Sequence, residues 1–121
     1  MRRIIAVVAL MAVASCGGDS GGGPAGEQLF ASAVLGGQAG CVTCHSLDPD
    51  RVVVGPSLAG VGERAATRVP GQSAREYLPT SIVMPDSHAV DGFDSGRMPS
   101  NWGAVLTGAE ISVLVDYLED L

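Results

Sequence analysis

The run Cys41-Val42-Thr43-Cys44-His45 places two thiols and an imidazole within five residues. On one helical turn residues i and i+3 face the same way. Cys41 and Cys44 can therefore each form a thioether to a vinyl group at one edge of a porphyrin, and His45, next in line, can reach the iron. Three uncommon residue types at fixed offsets make C-x-x-C-H a specific signal for covalent haem attachment. Other chemistries use part of the same pattern: a structural disulfide, a thioredoxin-like redox pair or a zinc site. None of them requires His45. A structural zinc site needs four ligands, and only His88 and Cys16 remain to supply them, with no second C-x-x-C and no H-x3-5-H. A thioredoxin-like pair expects a βαβ context that the sequence pattern does not offer.

An iron held by His45 has one further axial position, and its occupant decides between electron transfer and ligand chemistry. Downstream candidates are Met84, His88 and Met98. Methionine is also a common core filler, so the haem motif is what gives either Met its interest.

These residues need elements to position them. The spacing of Leu29, Phe30, Ala33 and Val34 predicts a first helix from about Glu27 to Leu35, ended by Gly36-Gly37. The haem motif follows on a short turn of helix. Ser73-Ala74-Arg75-Glu76 has the S-x-x-E form of a capping box and opens a helix through Tyr77 and Leu78 toward Ile82, its regularity limited by Pro79. Thr107-Gly108-Ala109-Glu110 is a second capping box, and Ile111, Leu114, Val115 and Leu118 continue at helical spacing. Only Arg51 to Val54 offers a short β-like run. The expected class is all-α, three to five short helices with long loops.

Before the motif the chain reads as export and anchoring. Residues 1–15 combine Arg2-Arg3 with the apolar stretch Ile4 to Val13, too short to span a bilayer, which takes about 20 apolar residues. The paired arginines are read only as the charged start, because haem attachment to this motif follows export of an unfolded chain. Val13-Ala14-Ser15-Cys16 resembles a lipobox, with Cys16 as the lipidated first residue; an ordinary cut after Ala12-Val13-Ala14 would instead leave Cys16 as an odd free thiol. Residues 16–26 then form a flexible Gly-rich tether spanning about 17 Å. The folded domain is expected over 27–121. A chain of this size with few aromatics needs help to stabilise its core, and a buried haem would supply apolar mass. All seven basic residues are Arg and two lie in the signal, which leaves 5 basic against 13 acidic groups, a formal charge of −8. Nucleic acid is excluded as a partner on that balance.

From about Gly26 to Leu121 the chain resembles the class I cytochrome c family, most closely bacterial monohaem domains fused to or associated with haem-copper oxidases. Cys41, Cys44 and His45 carry the resemblance, together with Met98-Pro99 shortly before the last helix and Gly55-Pro56-Ser57-Leu58, similar to the family's G-P-x-L segment. It implies a small cytochrome c fold around one haem c, with His45 and Met98 as axial ligands and the Pro56 carbonyl accepting from the His45 ring N–H. It places Arg64 near a haem propionate, Leu78, Ile82 and Trp102 along the haem crevice, and Gly26, Phe30, Leu114 and Tyr117 where the first and last helices cross. The chain departs from the family in having no lysine patch, in Met84 where relatives commonly carry Asn, and in a longer stretch from Pro85 to Met98.

The implied function is one-electron transfer with no acid-base catalysis. The donor would be a membrane quinol-oxidising complex or dehydrogenase and the acceptor a terminal oxidase or similar, with the carrier lipid-anchored in the periplasm or on the outer membrane face. The rivals are a haem enzyme or gas sensor with an open or exchangeable sixth ligand, and a permanent subunit of an oxidase complex.

Overall fold

The computed structural model describes residues 23–121. The export signal over 1–15, the lipidation site Cys16 and the start of the tether lie outside the described residues. The chain forms α1 (Gly23–Ala31), a hairpin of β1 (Val34–Leu35) and β2 (Gln38–Ala39), a 3-10 turn (Cys41–Thr43), α2 (Val61–Arg68) and α3 (Ala74–Val83). A second 3-10 turn (Pro85–Ser87), α4 (Trp102–Val105) and α5 (Gly108–Glu119) complete it. The all-α class with long loops is what forms, apart from the two-residue strands.

Several boundaries differ from the expected ones. Helix α1 begins four residues before Glu27, so residues 23–26 belong to the fold and not to the tether. Pro24 suits a first helical turn, where its missing N–H has no partner to lose. The helix also stops at Ala31. Gly36 and Gly37 both adopt positive φ, 56° and 81°, the conformation that a two-residue hairpin turn demands, and Val34 pairs with Ala39 across it. The run Arg51–Val54 is not a strand but an exposed irregular loop. Ser46 Oγ lies 2.9 Å from both the Asp48 and the Arg51 carbonyl oxygens, which share its one proton, and the Val54 N–H donates to the Cys44 carbonyl at 3.1 Å, so the loop backbone bonds locally instead of seeking a partner strand.

Both capping boxes form. The Glu76 carboxylate accepts from the Ser73 backbone N–H at 2.8 Å, and Glu110 does the same for Thr107 at 2.8 Å while Thr107 Oγ1 accepts from the Glu110 N–H at 3.2 Å. Pro79 sits inside α3 without ending it. The core is dense enough there, with Tyr77, Leu78 and Ile82 buried, to outweigh one missing helical bond. Helix α2 was not expected. It presents only Val61 and Ala65 to the core, at i and i+4, among polar neighbours.

The frame that fixes everything else is the crossing of α1 over α5. A Cβ on Gly26 would stand 2.2 Å from the Val113 carbonyl oxygen and 2.6 Å from Tyr117 Cβ, so the two backbones meet where only glycine fits. Phe30 and Tyr117 close the crossing with ring centroids 5.8 Å apart. Arg75 ties α3 to α5 through Asp116 and Glu119 on the exposed side. Among the described residues no helix is long and apolar enough to cross a membrane.

Candidate haem-binding site

The buried core does not close on itself. Phe30, Leu78, Ile82, Trp102, Leu114 and Leu118 are all buried, and all line one cleft that is partly open to solvent. Leu78, Ile82 and Trp102 therefore stand where the sequence reading put them. The indole N–H of Trp102 is buried in this wall without a hydrogen-bond partner.

Cys41 opens the 3-10 turn and Cys44 closes it, both as free thiols lining the cleft. The turn is tight: Thr43 Oγ1 donates to the Gly40 carbonyl at 2.6 Å, and the His45 N–H reaches the Cys41 carbonyl at 2.9 Å. Burial, with a smaller contribution from neighbouring Cys44, pushes the Cys41 thiol above its ordinary value. A thioredoxin-like pair depends on the opposite shift, since the thiolate is its nucleophile. Among the described residues no group of three or more His, Cys, Asp or Glu is placed to hold a metal ion, as a zinc site built from them would need.

His45 Nδ1 lies 2.8 Å from the Pro56 carbonyl oxygen. A carbonyl only accepts, so Nδ1 carries the proton and Nε2 keeps its lone pair. Burial holds the imidazole below its ordinary value against the opposing pull of that bond, which keeps the ring neutral and able to ligate. Gly55 makes this orientation possible. A Cβ there would lie 2.6 Å from His45 Cε1, 2.9 Å from Nδ1 and 3.2 Å from Nε2, so the imidazole rests directly on bare backbone. The loop is fixed in turn by the Gly55 N–H donating to the Cys44 carbonyl at 2.9 Å.

Of the three candidates for the second axial position, one stands apart. Met84 is 55 % exposed and is not part of the cleft wall, whereas Met98 is partly buried, packs on the core and lines the cleft. His88 also lines the cleft, at an exposed position edge-on to Tyr77 with ring centroids 5.9 Å apart. Arg64 reaches the cleft from α2, with its guanidinium donating to the Ala59 carbonyl and, at 2.9 Å, to that of Ser57. Two of its five N–H groups thus brace the loop that carries Pro56, and the rest remain for a carboxylate. Arg68, one turn further along α2, and Arg97, beside Met98, line the same cleft. Sequence reasoning missed both, although the i, i+4 spacing from Arg64 was the available signal for Arg68.

These residues fit a flat apolar group carrying anionic substituents: two thiols at one edge, an imidazole lone pair fixed on one wall, a thioether within reach of the same space, and arginines at the mouth. A comparison with family models agrees, since the model described as Cytochrome c matches residues 24–121. Neither the curated proteins nor the solved structures compared with the chain give a match. With its own cleft chemistry and the family match covering the whole described domain, the chain belongs to the cytochrome c family and takes haem c covalently through Cys41 and Cys44.

Proposed function

We propose that the protein is a membrane-tethered one-electron carrier, with His45 and Met98 as the axial ligands. The observation that carries this reading is the pairing of an oriented, neutral imidazole with a partly buried thioether on one apolar cleft. Bound haem supplies a reversible Fe(III)/Fe(II) couple. The chain's residues set its conditions. The Pro56 carbonyl holds the His45 ring and raises its basicity. Met98 supplies a soft donor of the type that raises reduction potentials. Phe30, Leu78 and Leu114 keep water from the cleft floor. Arg64 braces Pro56 and offers charge to a propionate.

The N-terminal motifs complete the proposal. Export by residues 1–15, lipidation of Cys16 and a tether shortened to residues 16–22 would hold the domain at the outer face of the cell membrane or in the periplasm. There it would take electrons from a quinol-oxidising complex or dehydrogenase and pass them to a terminal oxidase or similar acceptor, in respiratory or photosynthetic membranes. Cys16→Ser is expected to release the protein from membranes while leaving its optical spectrum unchanged; retention on membranes would refute the anchor.

One observation favours a second reading: His88 lines the same cleft as Met98, as an exchangeable sixth ligand would require. Carbon monoxide added to the reduced protein separates the two. A carrier saturated by His45 and Met98 leaves the spectrum unchanged, and rapid formation of a carbonyl adduct would favour an enzyme or gas sensor.

A further inference from the structure

The described surface leaves few large apolar side chains exposed, and most of them fall within residues 42–54. Val42 sits between the two haem-attaching cysteines and is 40 % exposed, and Leu47 is 41 % exposed. Val52, Val53 and Val54 follow at 63, 40 and 40 %. Val42, Leu47 and Val53 line one concavity together with Tyr117, Val52 is the exposed neighbour of Val53 on the same loop, and Val54 turns instead into the haem cleft. The surface is also held in shape. Ser46 Oγ binds the Asp48 and Arg51 carbonyls, Ser57 Oγ donates to the Asp48 carbonyl at 2.7 Å, and the Val54 and Gly55 N–H groups both reach the Cys44 carbonyl. Four aliphatic side chains, Val42, Leu47, Val52 and Val53, held in water on a fixed turn and loop are a standing cost unless something covers them.

The charges around them say what covers them. Glu27 and Asp48 border the concavity and Asp50 lies on the same loop, against Arg51 as the one cation, a local balance of −2. A second copy of this chain would bring the same acidic border to the same place and be repelled. The other arginines of the cleft lie elsewhere: Arg64 and Arg68 share a separate surface with His88 and Asp91, which has no residue in common with this concavity. We propose that Val42, Leu47, Val52 and Val53 form the docking face for a redox partner protein that presents an apolar contact ringed by lysine or arginine. This rests on the carrier reading and deepens it. One electron crosses the face at each encounter, the carrier changing by one oxidation level and the partner by the opposite one, with no bond made or broken.

The test is stopped-flow oxidation of the full-length ferrous holoprotein by two one-electron oxidants. Tris(1,10-phenanthroline)cobalt(III) is a trication with apolar faces, and hexacyanoferrate(III) is a hydrophilic trianion. In the Val52→Ser/Val53→Ser variant, whose changes are on exposed side chains, the cobalt reaction is expected to slow about fivefold at fixed ionic strength. The hexacyanoferrate reaction should be unchanged, as should the optical spectrum and midpoint potential. The wild-type cobalt rate should fall as salt is added. In Arg68→Gln the pattern should reverse, with only the anion slowed. An unchanged cobalt rate in the valine variant, or equal slowing with both oxidants, would overturn the docking face while leaving the carrier reading intact. Absence of a reversible one-electron couple in the wild-type sample would overturn both.

Discussion

Gly55→Ala tests the most demanding contact in the site. The added methyl would stand 2.6 Å from His45 Cε1, where carbon atoms ordinarily rest about 3.5–4.0 Å apart, an overlap of about 1 Å. Both ring nitrogens are struck as well, at 2.9 and 3.2 Å, so the ring must withdraw or the loop must move. Neither is free. Withdrawing the ring stretches the 2.8 Å bond from Nδ1 to the Pro56 carbonyl past its useful range of about 3.2 Å, and moving the loop strains the Gly55 N–H bond to Cys44. Overpacking with loss of one hydrogen bond should cost about 2–4 kcal/mol. In urea denaturation of the holoprotein that lowers the midpoint by roughly 1–2 M. A second readout separates this from a general packing defect. Losing the Pro56 bond makes the imidazole a poorer donor to Fe(III), so the midpoint potential should rise. A midpoint within about 0.3 M of wild type, with an unchanged potential, would refute the claim that bare backbone at residue 55 sets the ring.

Gly26→Ala forces α1 and α5 apart at Val113 and Tyr117 and should cost about 1–3 kcal/mol in thermal unfolding; no change would show that the crossing is not tight. Thr107→Ala removes the side-chain half of the α5 capping box and should cost about 1 kcal/mol, recovered by Thr107→Ser, and a neutral result would mean that the cap does not hold in solution. Glu76 and Glu110 are held below the ordinary carboxylate range by hydrogen bonds from Ser73 and Thr107. Their folded values are depressed, so the stability they add is complete above the unfolded carboxylate value of about 4.3 and is lost as pH falls through the folded values. Acid unfolding of Glu76→Gln/Glu110→Gln should therefore depend less steeply on pH below about 4.3 than that of wild type, and equal slopes would remove these two groups from the account.

The parts of the fold that were legible in the sequence are those governed by local chemistry. The C-x-x-C-H run, the two S/T-x-x-E caps and the Gly55-Pro56 segment each involve partners within a few residues or a backbone contact that the motif specifies. What the sequence left ambiguous depended on tertiary context. Gly36-Gly37 serves equally well to stop a helix or to turn a hairpin, and the choice was made by pairing between Val34 and Ala39. Helix α2 buries only Val61 and Ala65, too few for a periodic signal. Val52 to Val54 carried strand propensity, but no partner strand lies beside them and they remain on the surface. Pro24 followed a glycine run that reads as tether until packing against α5 recruits Gly26. Likewise Met84 was set apart from Met98 and His88, which both line the cleft, by its exposure, which sequence spacing alone does not report.

The central claim is ligation by His45 and Met98, and the far-red optical spectrum of the oxidised protein tests it most directly. A methionine sulfur bound to ferric haem gives a weak charge-transfer band there. Wild type and the exposed-site control Met84→Ala should both show it, and Met98→Ala should lose it while keeping the haem. If the band persists in Met98→Ala, or is absent from wild-type protein that contains haem, the sixth ligand is another residue and the carrier account fails at its centre.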